Sequence, residues 1–269
     1  MSQPDAKLTS LWLEVNGLAM HARVAADPPQ TDRLPVVLVH GLGVSSRYLI
    51  PLAEDLARRY RVYAPDLPGF GKTQKPDHIL NVDELADVLA AWLKAARVER
   101  ASFIGNSMGC QTIPSLAVRY PQYVDRAVLI GPTIDPSARS LGPLLLRGLA
   151  DMVQEPLHYY PTLTRDYLQA GLRRTLQTLR YAIADPVEQR LPQIQVPVLV
   201  VRGGRDSIVS EEWAEKVARL LPKGDLMVFP QQAHVVHYSA PELLTAALDP
   251  FLSRPSVNDQ WLSLSSQTE

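Results

Sequence analysis

Cysteine is nearly absent. The 269-residue chain holds one, Cys110, so no disulfide can form within it. A lone thiol fits a reducing compartment rather than a stapled secreted scaffold. An excess of either charge is missing too. With 27 basic against 28 acidic residues the net charge is −1, which leaves no basic footprint for nucleic acid. No run approaches the ~18 apolar residues of a membrane span. The polar start Met1-Ser2-Gln3-Pro4-Asp5 lacks the basic-then-apolar layout of a signal peptide. The six histidines lack metal-ligand spacing. Internal repeats and low-complexity tracts are also missing. These absences lead to the expectation of a soluble, cytoplasmic protein, monomeric or homodimeric, acting on a small molecule. They leave no call for a cofactor, a metal, a nucleic acid or stable membrane anchoring.

What is present is ordinary globular composition, 46% hydrophobic and 20% charged, in a chain long enough for one large core. Leu11–Val15 and Leu18–Ala25 flank Asn16-Gly17, the strongest short-range signal for a β-hairpin. Pro35–Val39 is a continuous apolar, β-branched run, as expected of a parallel strand buried on both faces. The pattern then alternates. Helices are expected over Ser46–Tyr60, Asn81–Ala96, Ser107–Arg119, Glu211–Leu221 and Glu242–Leu252, with strands at Arg61–Ala64, Ala101–Ile104, Ala127–Ile130, Val196–Val201 and Leu226–Phe229. Between Gly131 and Gln195 strand signals vanish, and Leu141–Val153 and Leu163–Ile183 are expected to be helical. The expectation is a mainly parallel sheet covered on both faces, with a helical insertion as a lid.

In such sheets function gathers beyond the carboxyl ends of the strands. The loop after Ile104 carries Gly105-Asn106-Ser107-Met108-Gly109, a serine at a strand-to-helix turn with glycine two residues to either side. That turn exposes the hydroxyl as a nucleophile. The loop after Val201 carries Asp206, and the loop after Phe229 carries His234. A serine hydroxyl is a poor nucleophile until a histidine takes its proton and a carboxylate orients that histidine. Asp135 is an alternative acid, and His237 competes with His234 for the base. His40-Gly41-Leu42-Gly43 ends the strand at Val39. Its backbone, with that of Met108, offers two N–H donors, Leu42 and Met108, to an oxyanion. Gly69-Phe70-Gly71-Lys72-Thr73 looks like the end of a phosphate loop, but that pattern requires glycine where Asp66 stands. Cys110 is expected to pack into the core, and His21, His78 and His158 to be surface or satisfied residues.

These stretches, with Asp66-Leu67-Pro68-Gly69-Phe70-Gly71 and His234 to Pro241, resemble the α/β-hydrolase superfamily in its serine-nucleophile, single-lid branch of esterases and meta-cleavage-product hydrolases. The resemblance implies an α/β fold with eight mainly parallel strands and a helical lid inserted after the sixth. It places the core at 1–131 and 196–254, the lid at 132–195, and a partly mobile tail at 255–269. It also implies a catalytic Ser107, Asp206 and His234, in the chain order of that superfamily, with an oxyanion hole at Leu42 and Met108. Haloalkane dehalogenases and epoxide hydrolases resemble the fold but carry aspartate at the elbow, so serine argues against both. The expected reaction is hydrolysis of carboxylic esters of small to medium, largely apolar substrates, under a leucine-rich lid with Tyr159, Tyr160 and Tyr167. Carbon–carbon bond hydrolysis of meta-cleavage type is the alternative: Asn106 favours it and Val235 disfavours it. Arg173, Arg174, Arg180 or Arg190 would then receive a carboxylate. A non-catalytic ligand-binding member of the fold is the third possibility.

Overall fold

A computed structural model describes residues 7–136 and 139–255, so Ser137, Ala138 and the expected tail from 256 onward lie outside the described residues. Eight strands form one sheet, in the order β1-β2-β4-β3-β5-β6-β7-β8. They are β1 (Leu8–Val15), β2 (Leu18–Ala25), β3 (Val36–Val39), β4 (Val62–Pro65), β5 (Ala101–Asn106), β6 (Val124–Ile130), β7 (Val198–Gly203) and β8 (Gly224–Phe229). β1 and β2 pair antiparallel through the Asn16-Gly17 turn, whose φ values of 51° and 78° are the left-handed pair that a two-residue hairpin requires. β2 meets β4 antiparallel, and every pairing from β4 to β8 is parallel.

Alternation along the buried strands splits the core in two. Val37, Val39, Phe103 and Leu129 point to one face, where α2 (Val82–Ala95), α3 (Gly109–Arg119) and α8 (Glu211–Leu220) pack. Val36, Leu38, Ile104 and Val128 point to the other, against α1 (Ile50–Leu56) and α10 (Pro241–Leu252). All residues of β3, β5, β6 and β7 are buried, which is why β3 and the middles of the other three read as apolar runs, with Asp125, Arg126 and Arg202 towards their ends. α2 starts at a capping box: the Asn81 side chain accepts the Glu84 N–H at 3.0 Å and the Glu84 carboxylate accepts the Asn81 N–H at 2.8 Å. Leu85, Leu89, Trp92 and Leu93 then fall on its buried face.

Two expected helices differ. The one expected over Ser46–Tyr60 is a 3₁₀ turn at Ser46–Leu49 followed by the short α1, because Pro51 opens a new helix at its first turn. The one expected over Leu163–Ile183 is two, α5 (Tyr160–Ala170) and α6 (Leu172–Ala184), broken at Gly171 with φ 85°. With α4 (Leu141–Met152) and the single turn α7 (Val187–Arg190), they fill the chain between β6 and β7. A short α9 (Val236–Ser239) precedes α10.

This insertion meets the core through buried carboxylates. Asp166 on α5 accepts the Ser45 hydroxyl at 2.7 Å and pairs with Arg47. Asp185 pairs with Arg190 at 2.5 Å and accepts from Gln111 of α3 at 3.2 Å. Some of its large apolar residues turn outward, with Val153 87%, Leu157 85% and Leu168 78% exposed, while Tyr159, Val187, Leu191 and Ile194 join the buried core.

Candidate active site

The site is built on the ends of β3, β5, β6, β7 and β8. Ser107 follows β5 with φ 55°, a left-handed conformation for a residue with a side chain, which costs of order 1–3 kcal/mol. Two features hold it there. Its N–H donates to the Ile130 carbonyl at 3.0 Å. Gly109 lets α3 close on β3: a Cβ there would stand 2.3 Å from the Val39 carbonyl oxygen.

Asp206 and His234 come together, with Nδ1 2.8 Å from the Asp206 Oδ2, and both are buried. The other Asp206 oxygen accepts the N–H groups of Ile208 and Val209 at 2.8 and 2.9 Å. Burial disfavours the Asp206 carboxylate, but His234 and these N–H groups outweigh it and hold the group below its usual range. Burial likewise disfavours the His234 imidazolium. Asp206 above all, then Asp151 and Glu155, overcome that and raise it to about 9. His234 Nε2 is buried without a partner among the described residues, so the hydrogen bond to the Ser107 hydroxyl is not made in this state. Such contacts often tighten only with substrate bound.

The partner of His234 is therefore Asp206, and not Asp135. His237, three residues on, has no partner on either ring nitrogen and packs edge-on to Tyr48 at 4.5 Å. Burial and the nearby His234 push it down to about 3, so it stays neutral. Beneath the imidazole lies Gly131: a Cβ there would come within 2.7 Å of the His234 ring.

The loop after β3 is ordered by His40, whose Nε2 accepts the Leu67 N–H at 2.9 Å, which fixes the other nitrogen, Nδ1, as the donor to the Gly41 carbonyl at 2.8 Å. Gly41 N–H donates to Tyr48 Oη at 2.8 Å, and that hydroxyl donates to Asn106 Oδ1 at 2.9 Å. Asn106 Nδ2 then donates to the carbonyls of Ile130 and His234 at 3.1 and 3.2 Å. Asn106 thus commits both amide hydrogens and one acceptor position of its oxygen to the scaffold. Among the described residues no backbone hydrogen bond engages the N–H groups of Leu42 and Met108.

The lysine-containing loop is no phosphate cradle. It wraps the buried Asp66, which accepts the His21 Nδ1–H at 2.8 Å and the N–H groups of Ser46 and Lys72 at 2.7 and 2.9 Å. His21 is thereby satisfied, its Nε2 lying 2.9 Å from the Ser10 hydroxyl. Cys110 is buried, its Sγ 3.3 Å from the carbonyls of Gly105 and Ile130. Among the insertion's arginines, Arg190 is spent on Asp185 and Asp83, Arg174 lies over Gly69 and donates to the Pro76 carbonyl at 3.3 Å, and Arg173 and Arg180 are exposed. Sequence reasoning passed over Tyr48, Gly131, Asp151 and Glu155. A tyrosine seven residues after the Gly41 turn was the only signal available for any of them. Among the described residues no cluster of side chains could hold a metal ion, and no helix is long and apolar enough to cross a membrane.

An eight-stranded sheet with serine, acid and histidine beyond the ends of β5, β7 and β8 defines a class. The chain belongs to the alpha/beta hydrolase family, whose model matches residues 36–247, and it is a hydrolase of that family. It is similar to the dihydrolipoyllysine-residue acetyltransferase component of the acetoin cleaving system of Pseudomonas putida, 29% identical over 82% of this chain and 64% of that protein, so it spans under two thirds of that relative's length. It is also similar to a 2-hydroxy-6-oxo-6-(2'-aminophenyl)hexa-2,4-dienoic acid hydrolase of Metapseudomonas resinovorans, 29% identical over 82% of this chain and 84% of the relative. Among solved structures it resembles a serine hydrolase involved in carbazole degradation, with 27% identity, TM-score 0.73, and 92% and 99% of the two chains covered. It also resembles a bacterial membrane phospholipase A, with 25% identity, TM-score 0.77, and 91% and 86% covered.

Proposed function

We propose that this hydrolase cleaves carboxylic esters of small to medium, largely apolar substrates through an acyl-enzyme on Ser107. The observation that carries this reading is the 2.8 Å Asp206–His234 bond set beside a serine held at φ 55°. Ser107 attacks the carbonyl carbon while His234 Nε2 takes the hydroxyl proton, and Asp206 stabilises the imidazolium. The N–H groups of Leu42 and Met108 receive the developing oxyanion, each worth about 2.7–4 kcal/mol of barrier. His234 returns the proton to the leaving alcohol. Water, deprotonated by the same nitrogen, then releases the acid. No cofactor enters this cycle. Residues 132–195 act as the lid over a core of 1–131 and 196–254, and the single buried thiol agrees with a cytoplasmic location.

Carbon–carbon hydrolysis stands second, because the dienoic acid hydrolase of M. resinovorans is among the relatives. The engaged Asn106 and the absence of an inward arginine among the four considered weigh against it. The test is turnover of p-nitrophenyl butyrate by the wild type and by Ser107→Ala. A loss of about 10⁴-fold or more with the fold retained is expected, and retained activity overturns the nucleophile assignment. If the wild type ignores short esters but bleaches a ring-fission dienoate, the second reading replaces the first. Failure of a fluorophosphonate probe to label Ser107 in folded protein would favour a non-catalytic binding role.

A further inference from the structure

Two carboxyls from the insertion reach the backbone of the proposed triad. Asp151 is the penultimate residue of α4, and Glu155 stands in the turn that follows. Both are buried, at 4% and 8% exposure. Glu155 Oε1 accepts the Val235 N–H at 2.9 Å, and Val235 follows His234 directly. Asp151 Oδ1 accepts the Ser207 N–H at 3.3 Å, and Ser207 follows Asp206 directly. Gln154, between the two acids in sequence, donates to the Ser207 hydroxyl at 2.7 Å. One short segment thus grips the acid loop and the base loop at the same relative position.

The two acids also answer to each other. Glu155 Oε2 is buried and finds no donor among the described residues, and the Asp151 carboxyl is close enough to push Glu155 up. Two adjacent buried carboxylates repel, and one shared proton removes the repulsion and satisfies the orphan oxygen. Burial pushes Glu155 up to about 7; the Val235 N–H pulls against that and Asp151 adds to it. Burial raises Asp151 as well.

We propose that Asp151 and Glu155 are positioning residues of the triad, each fixing the loop of one triad member through the next residue's N–H, and together setting the charge that His234 faces. The inference rests on the reading of Ser107, Asp206 and His234 as catalytic. The other titratable groups around His234 are Asp206 from the loop after β7 and His237 from α9, with Tyr159 facing the two acids. His237 is neutral, so the insertion's carboxyls are the adjustable charge. The sign follows. A negative charge facing the imidazolium holds its proton, and a neutral replacement releases that proton at lower pH.

Glu155→Gln keeps an oxygen for the Val235 N–H and offers an amide hydrogen to Asp151, so geometry is retained; where His234 titrates, at about 9, Glu155 at about 7 has already lost its proton, and the substitution there removes a charge. It is expected to keep the plateau kcat and move the acid limb of kcat/KM to lower pH, by about one unit. Glu155→Ala, which loses the Val235 contact, is expected to lower kcat about 10- to 100-fold with KM little changed. The second readout needs no turnover: in Ser107→Ala protein, the NMR titration of the His234 ring moves acidward when Glu155→Gln is added. An unmoved titration and an unmoved limb in Glu155→Gln overturn the charge role. An unchanged kcat in folded Glu155→Ala overturns the positioning role, and if that variant does not fold, the glutamine variant decides. Should Ser107→Ala in the wild-type background keep its activity, the catalytic reading fails while the titration still reports on the two acids.

Discussion

The sheet and the insertion are held by different mixtures of contact. On β3, β5, β6 and β7 every side chain is buried, and the flanking helices add Leu52, Leu56, Leu85, Leu89 and Trp92 at or near zero exposure. Apolar burial, at roughly 25 cal/mol per Å², is what holds this part. On the insertion, Val153, Leu157, Leu168 and Leu172 face outward. It meets the core through apolar residues, Tyr159, Val187, Leu191 and Ile194, and through polar ones: Asp151 on the Ser207 N–H, Glu155 on the Val235 N–H, Asp166 on Ser45 and Arg47, and Asp185 on Gln111. The difference teaches that the loops bearing Ser107, Asp206 and His234 inherit the rigidity of the sheet. The insertion adds to its apolar contacts a set of discrete polar points, each open to titration or substitution one at a time.

The sharpest way to test the sheet side of this contrast is to alter chemistry without altering packing. Asp206→Asn keeps the shape but supplies the wrong partner for Nδ1–H, and is expected to lower kcat by about 10⁴-fold in an ester assay with thermal stability nearly unchanged. Next in size is Leu38→Ala, which opens a void in the fully buried centre of β3. Its expected cost is about 2–5 kcal/mol by urea unfolding. Gly131→Ala puts a methyl within 2.7 Å of the His234 ring. Displacing the imidazole by a fraction of an ångström to an ångström is expected to cost up to about 10²-fold in kcat. The smallest effect falls on the insertion. Leu157→Ser, at 85% exposure, is expected to leave stability within about 0.5 kcal/mol of wild type. A large loss there would break the contrast, as would a Leu38→Ala protein that unfolds like the wild type.

The legible features in the sequence were those written in strong local code. Asn16-Gly17 announces its hairpin because φ values of 51° and 78° suit almost no other pair. The buried strands announce themselves because both faces are covered. The glycines around Ser107 mark a turn in which Gly109 must touch the Val39 carbonyl. Asp206 was legible through its glycine-rich turn, and the structure gives it to His234 at 2.8 Å. The illegible features were relational. Asp151 and Glu155, read along the chain, are ordinary acids at the end of an exposed leucine-rich helix, and only the fold shows which N–H groups they meet. Asn106 was noticed for its place in the elbow; its partners, the hydroxyl of Tyr48 and two carbonyls, belong to residues far away in sequence. The break at Gly171 was missed because helical periodicity runs through it on both sides.

The polar seating of the insertion has a consequence for how such a chain changes over generations. An apolar interface must be reshaped by coordinated substitutions, since each side chain fills a hole made by its neighbours. The insertion is tied to the sheet by four buried carboxylates together with the buried Tyr159, Val187, Leu191 and Ile194. The outward-facing residues between these ties, Val153, Leu157, Leu168 and Leu172, are free to exchange size and shape one at a time without unseating it or disturbing Ser107.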